Sequence, residues 1–180
     1  MSVETSKPKS ILKIIIWTLV GLSLAASGVA VYLYLPRDTN PIPTSLRSQL
    51  TFSPFVLPKG TKQYTTTDYK FLTAEDNVRT LSYVIHTTSG TISVKEQSQP
   101  LEFTEIADYK DRFLNNMKQY DTIQTSNGII YLGRLALQNN EQMGIMTERG
   151  LLVFMIPNKE MATPQWRVLC DQLQIQTMTN

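Results

Sequence analysis

From Ile14 to Leu35 the chain runs for 22 residues, IIIWTLVGLSLAASGVAVYLYL, without a charge. At about 1.5 Å rise per residue, a helix of that length covers roughly 33 Å, against a hydrocarbon layer of about 30 Å. Each central Leu, Ile or Val favours insertion by roughly 0.3 to 0.6 kcal/mol, and no charged residue, at about 2.5 to 3.5 kcal/mol each, opposes them. A transmembrane helix over 14–35 is therefore expected, with Ile14, Leu24 and Val31 against the lipid bilayer and with Trp17 and Tyr34 at its two interfaces. Lys7, Lys9 and Lys13 precede the stretch, whereas Arg37 follows it with Asp38 alongside. Since cytoplasmic flanks are enriched in Lys and Arg, residues 1–13 read as a cytoplasmic basic tail and the remainder as extracytoplasmic. A cleaved signal peptide is the main competitor, given the small residues Ala25, Ala26, Ser27 and Gly28. The apolar run continues from Val29 to Leu35, however, beyond the length of a signal h-region, which favours an uncleaved single-pass anchor in the cell membrane. Gly21 and Ala25, four residues apart, would let two such helices approach closely, so a weak homodimer through them is expected.

The chain beyond the anchor is long enough for one folded unit. From Arg37 onward 14 basic residues balance 14 acidic ones, and no run or stripe of Lys and Arg appears, which argues against a nucleic-acid partner. Cys170 is the single cysteine, so no intrachain disulfide can form and the fold must hold by packing. Five prolines between Pro36 and Pro58 read as a semi-extended stalk over 36–60, its later part, Leu50 to Gly60, apolar enough to dock on a core.

Over 61–180 period-two patterns dominate. Val78 to Thr88 and Thr91 to Gln97 alternate apolar and polar residues around Ser89-Gly90 and predict a hairpin. Thr122 to Gln124, Ile129 to Gln138, Gln142 to Thr147 and Leu151 to Ile156, separated by Ser126-Asn127-Gly128, Asn139-Asn140 and Arg149-Gly150, predict a four-stranded antiparallel meander. Ile106, Tyr109, Phe113, Leu114 and Met117 recur at helical spacing, predicting one helix from a Thr104 cap to about Lys118. Thr163-Pro164 is expected to cap a second helix, with Trp166, Leu169, Cys170 and Leu173 as its apolar stripe. The resulting expectation is an α+β domain, a curved antiparallel sheet with both helices packed on one face.

Chemistry is sparsely signalled. His86, the only histidine, lies on a strand without a second His or Cys near it in sequence, so it reads as a boundary residue and no metal site is expected. Comparison with the His, Cys and Arg of sortase transpeptidases fails, because Cys170 sits on a helix in Trp-Arg-Val-Leu-Cys-Asp and no Arg follows it; a buried, inert thiol is expected. Glu96 and Glu102 flank a strand-to-helix connection and could pair for acid/base work, but solvated surface carboxylates are the commoner arrangement. No nucleophile elbow, zinc-protease, phosphate-loop or dinucleotide motif occurs, and no cofactor is expected. Met143, Met146 and Met155 cluster near the last two strands and could line an adaptable binding groove, with ordinary core packing as the alternative.

Several segments together resemble a known pattern: Phe-x-Pro-Phe-x-Leu-Pro-x-Gly (Phe52 to Gly60), Ile-Ser-Val-Lys-Glu-Gln (Ile92 to Gln97), Asn-Gly-Ile-x-Tyr-x-Gly (Asn127 to Gly133) and a closing helix after Leu-x-Phe-x-Ile. Over Leu50 to Ile175 the chain resembles the extracytoplasmic domain of unknown function that ends many bacterial membrane-anchored anti-sigma-factor-like proteins. It departs from them in having only a short basic tail before the span, and Met143 to Met146 where the family carries a Trp. The resemblance implies a fold and an outside address, not sigma-factor regulation. The residues imply a tethered envelope module that binds a protein or other ligand. An accessory subunit whose span is the interface, or a hydrolase or transferase with a carboxylate site, are the alternatives.

Overall fold

The computed structural model describes residues 40–73, 78–135 and 141–177. Ile14, Trp17, Gly21, Leu24, Ala25, Val31 and Tyr34 of the expected anchor, and the Asn139-Asn140 turn, lie outside them. Among the described residues no helix is long and apolar enough to cross a membrane.

The described residues form nine strands and four short helices, in the order α1 (Thr44–Arg47), β1 (Phe55–Val56), β2 (Thr65–Thr73), β3 (Arg79–His86), β4 (Thr91–Ser98), α2 (Glu102–Glu105), α3 (Tyr109–Asn115), β5 (Asp121–Thr125), β6 (Gly128–Arg134), β7 (Gln142–Met146), β8 (Leu151–Pro157), α4 (Thr163–Gln172) and β9 (Gln174–Ile175). Seven strands form one antiparallel sheet in the order β2-β3-β4-β8-β7-β6-β5, and β1 pairs with β9 in a two-stranded ribbon. The main sheet is thus two meanders, β2 to β4 and β5 to β8, joined where β4 meets β8 in antiparallel register from Ile92↔Pro157 to Ser98↔Leu151. It is open, with β2 and β5 as edges; the sequence reading expected a curved sheet, and no strong curl is present.

The hairpins form where turn chemistry predicted them. Arg149 and Gly150 both take positive φ, +56° and +73°, the pair that a two-residue turn matched to strand twist requires. The edge strand β2, missed in the sequence, is mostly exposed and is broken by a register shift between Thr67 and Lys70, where Asp68 sits at φ +57°. Such a bulge on an edge discourages pairing with another chain.

The helices do not share a face of the sheet. Trp166, Leu169 and Cys170 of α4 pack with Leu81, Tyr83, Val94, Val153 and Ile130. Leu114 and Met117, with Phe103 and Phe113, pack with Met143, Ile145, Leu152 and Phe154. Because Ile145 faces Phe154 and Met146 faces Val153 across one ladder, alternate residues of β7 and β8 supply the two clusters. All five residues of β7 are buried, as expected of a strand covered on both sides, so the layers are helix, sheet, helix.

Three further expectations need correction. The single helix from Thr104 to Lys118 is two pieces, because Ile106 is extended and Asp108 adopts φ +63°; the Thr104 hydroxyl donates to the Leu101 carbonyl at 2.8 Å instead of capping. The second helix begins one residue earlier than expected, with Ala162 as its cap: the Ala162 N–H donates to Gln165 Oε1 at 2.8 Å, and Thr163 donates to Asp121 Oδ2, tying α4 to β5. Leu50 to Gly60 docks on the core as expected, but the described residues before it are not a stalk either. Ile42, Phe52, Phe55, Val56 and Leu57 are all buried on the α4 side, so the folded unit begins near residue 40.

Candidate functional site

The three methionines do not meet in a groove. Met146 and Met155 are core on the α4 side, and Met143 is core on the α2–α3 side, so they serve packing on opposite faces. His86 is half-buried, with Nε2 2.8 Å from the Thr67 hydroxyl of the neighbouring edge strand. No cluster of His, Cys, Asp and Glu that could hold a metal occurs among the described residues.

Cys170 is fully buried, and burial, with the nearby Asp171 charge adding to it, pushes the thiol up to about 12. At pH 8 the native chain is expected to resist iodoacetamide for hours and to react within minutes once unfolded in urea. Thiol modification followed by mass spectrometry checks this, and rapid labelling of the folded chain would contradict the placement.

Glu96 and Glu102 are not a pair. Glu102 is exposed on α2, whereas Glu96 is completely buried in the centre of the sheet, contrary to the solvated carboxylate that the sequence reading favoured. The pattern did carry the signal, since Ile92, Val94 and Glu96 alternate and all three are buried. Glu96 Oε2 accepts the Phe55 N–H at 2.8 Å, and Oε1 lies 2.6 Å from Tyr83 Oη, which is itself 3.0 Å from the Phe55 carbonyl oxygen. Burial raises the Glu96 carboxyl to about 8; the bonds from Tyr83 and Phe55 oppose this only in part. Burial also drives the Tyr83 phenol well above its ordinary value. The group is sealed among Phe55, Tyr83 and the sheet and forms no part of the walls of the hollows described below.

A more accessible feature lies where β6, β7 and the segment before α4 converge. Two adjoining hollows of about 420 and 550 Å³ share Arg134, Gln142 and Glu160 in their walls. The Gln142 side chain is only 7% exposed; Nε2 donates to the Met161 carbonyl at 2.9 Å and Oε1 accepts the Met161 N–H at 2.8 Å, clamping the loop before α4. Nε2 also donates to Tyr120 Oη at 2.6 Å. The Tyr120 ring is 49% exposed and lies 5.8 Å from the Arg134 guanidinium, which pairs with Glu160. An aromatic ring held at its hydroxyl end and flanked by amide, cationic and carboxylate groups has the chemistry to contact a polar ligand. The sequence reading missed it. Its one signal was Gln142, a polar residue opening an otherwise apolar strand. Comparison of the chain with protein-family models, with curated proteins and with solved structures gives no match.

Proposed function

We propose that this chain is a membrane-tethered binding module of a bacterial cell envelope, anchored through residues 14–35 with the amino terminus in the cytoplasm, and that the cleft around Tyr120 is its contact surface. The uncharged 22-residue stretch carries the address. The likeness of Leu50 to Ile175 to extracytoplasmic domains of anti-sigma-factor-like proteins supports the same side of the membrane. The half-exposed Tyr120, fixed by Gln142 and Arg134, supports recognition in place of chemistry, since its neighbours are arranged to orient a ligand. The catalytic alternative, a Glu96–Glu102 site, loses its support because the two carboxylates are not neighbours.

In intact cells, added protease is expected to remove the carboxyl-terminal domain while the chain stays in the membrane fraction. Crosslinking in intact membranes is then expected to capture an envelope component with the unsubstituted chain and at least tenfold less of it with Tyr120→Ala. A domain protected from outside protease would refute the address; undiminished capture by Tyr120→Ala would refute the cleft. Capture that survives deletion of residues 42–180 would instead favour an accessory subunit that uses the span, through Gly21 and Ala25, as its interface.

A further inference from the structure

The Glu96 contacts cannot all be satisfied by a carboxylate. Tyr83 has one hydroxyl proton, yet its oxygen lies within hydrogen-bond reach of two acceptors, the Phe55 carbonyl at 3.0 Å and Glu96 Oε1 at 2.6 Å. With Glu96 ionised, the hydroxyl serves one of them and the other contact is acceptor against acceptor in a buried site. With the proton on Oε1, the acid donates to Tyr83 Oη, Tyr83 donates to the Phe55 carbonyl, and the Phe55 N–H donates to Oε2. The ring closes on both polar groups of a single residue, and every member is satisfied.

That residue belongs to the least supported strand. The β1 strand is two residues long and pairs only with β9, also two residues, through Phe55↔Ile175 and Val56↔Gln174. Apart from apolar packing, its attachment to the main sheet runs through Glu96 and Tyr83. We propose that Glu96 is a proton-operated latch: its neutral acid fastens the Phe55 strand to the sheet, and its ionisation releases the segment from Ile42 to Leu57 that joins the domain to the preceding chain. The titratable groups around it are all acids. Tyr83 touches it from β3, Tyr69 of β2 stacks on Tyr83 at 5.0 Å and has its own phenol pushed up to about 12, chiefly by burial and in part by the Glu96 charge, and Cys170 of α4 acts on Tyr83. The other residues of the β4 face, Ile92 and Val94, and their β8 neighbours Val153 and Met155 are apolar, so nothing there compensates a carboxylate charge. The high titration of Glu96 agrees with this geometry. The inference is independent of the Tyr120 cleft and concerns how the domain is held to the chain that enters it.

Amide hydrogen exchange on the full chain in mild detergent tests the latch, comparing unsubstituted protein with Glu96→Gln at each pH so that the base-catalysed chemical rate cancels. The glutamine amide can donate to Tyr83 and accept from Phe55 without titrating. The exchange ratio at Phe55 and Val56 is expected to climb about tenfold per pH unit across the interval where only the latched acid keeps its proton, and both amides are expected to exchange at least tenfold faster than the core amides of β6 and β7, which open only with the whole domain. A flat ratio at Phe55 overturns the proposal, and so does protection at Phe55 and Val56 as strong as in β6 and β7, which would mean that the segment has no separate opening. Should Glu96→Gln fail to fold, a carbon-13 titration of the unsubstituted Glu96 carboxyl decides. A midpoint near 8, shared with the Phe55 amide shift, supports the latch; an ordinary carboxylate midpoint, or two separate midpoints, overturns it.

Discussion

Glu96→Gln is expected to keep a nearly level stability between about pH 4.5 and 8, while the unsubstituted domain loses up to about 1.4 kcal/mol for each pH unit on account of this one residue. In the unfolded chain Glu96 ionises near its ordinary value of 4.5; in the folded domain it keeps its proton to about 8. Between those limits the native state binds one proton more than the unfolded state, so stability falls as pH rises. Below 4.5 both states are protonated, above about 8 both are ionised, and the contribution levels off. The difference between the two proteins should therefore open by several kcal/mol across the interval, with the glutamine variant the more stable at pH 8. Glu96→Ala should behave differently, losing about 3 kcal/mol even at low pH, because the Phe55 N–H loses its acceptor in a dry site. Urea titrations at a series of pH values, followed by Trp166 fluorescence in a Trp17→Phe background, report these changes. Parallel curves for the unsubstituted and Glu96→Gln proteins would show that the carboxyl is not held neutral.

Gly144→Val is expected to cost at least about 3 kcal/mol, among the largest effects of any single substitution outside the Glu96 ring. Gly144 sits on the interior strand β7, and a Cβ built there would lie 2.8 Å from Ile130 Cδ1 and 2.9 and 3.1 Å from two atoms of the Trp166 ring. Trp166 is fully buried and is the largest such side chain in the domain, so the missing side chain at 144 is the space that the indole occupies. The reciprocal change, Trp166→Ala, should cost about 3 to 5 kcal/mol by opening a cavity. The two sites should also be coupled: Gly144→Ala combined with Trp166→Leu should be less damaging than the sum of the separate losses. Circular dichroism through urea unfolding measures all of these proteins, and a Gly144→Val domain within about 1 kcal/mol of the original would refute the packing argument.

The hairpins were legible because local chemistry decides them. Arg149-Gly150 and Ser126-Asn127-Gly128 tolerate the backbone their turns need, and the flanking residues alternate. The apolar stripe of α4 was legible for the same reason. The placement of the helices on opposite faces was not, although Leu151 to Ile156 is apolar at every position, which is how a strand buried on both sides reads. The break between α2 and α3 depends on the left-handed Asp108, a state that aspartate tolerates without announcing it. Glu96 was misjudged as surface because residue type was weighed above its position in the alternation. The Tyr120 cleft depends on contacts between residues 14 to 26 positions apart, such as Arg134 with Tyr120 and with Glu160, which no local pattern encodes.

The seam between β4 and β8 bears on how the chain reaches this state. Each meander can zip from its own turns within a short stretch of sequence, but Ile92 must find Pro157 across nearly half of the domain before the two halves become one sheet. Loop closure of that length makes the seam the expected slow step of folding. Until it closes, both β4 and the wholly apolar β8 present open edges, the kind of surface on which incomplete chains recruit one another. A newly made copy would be most in need of a holding chaperone during that interval.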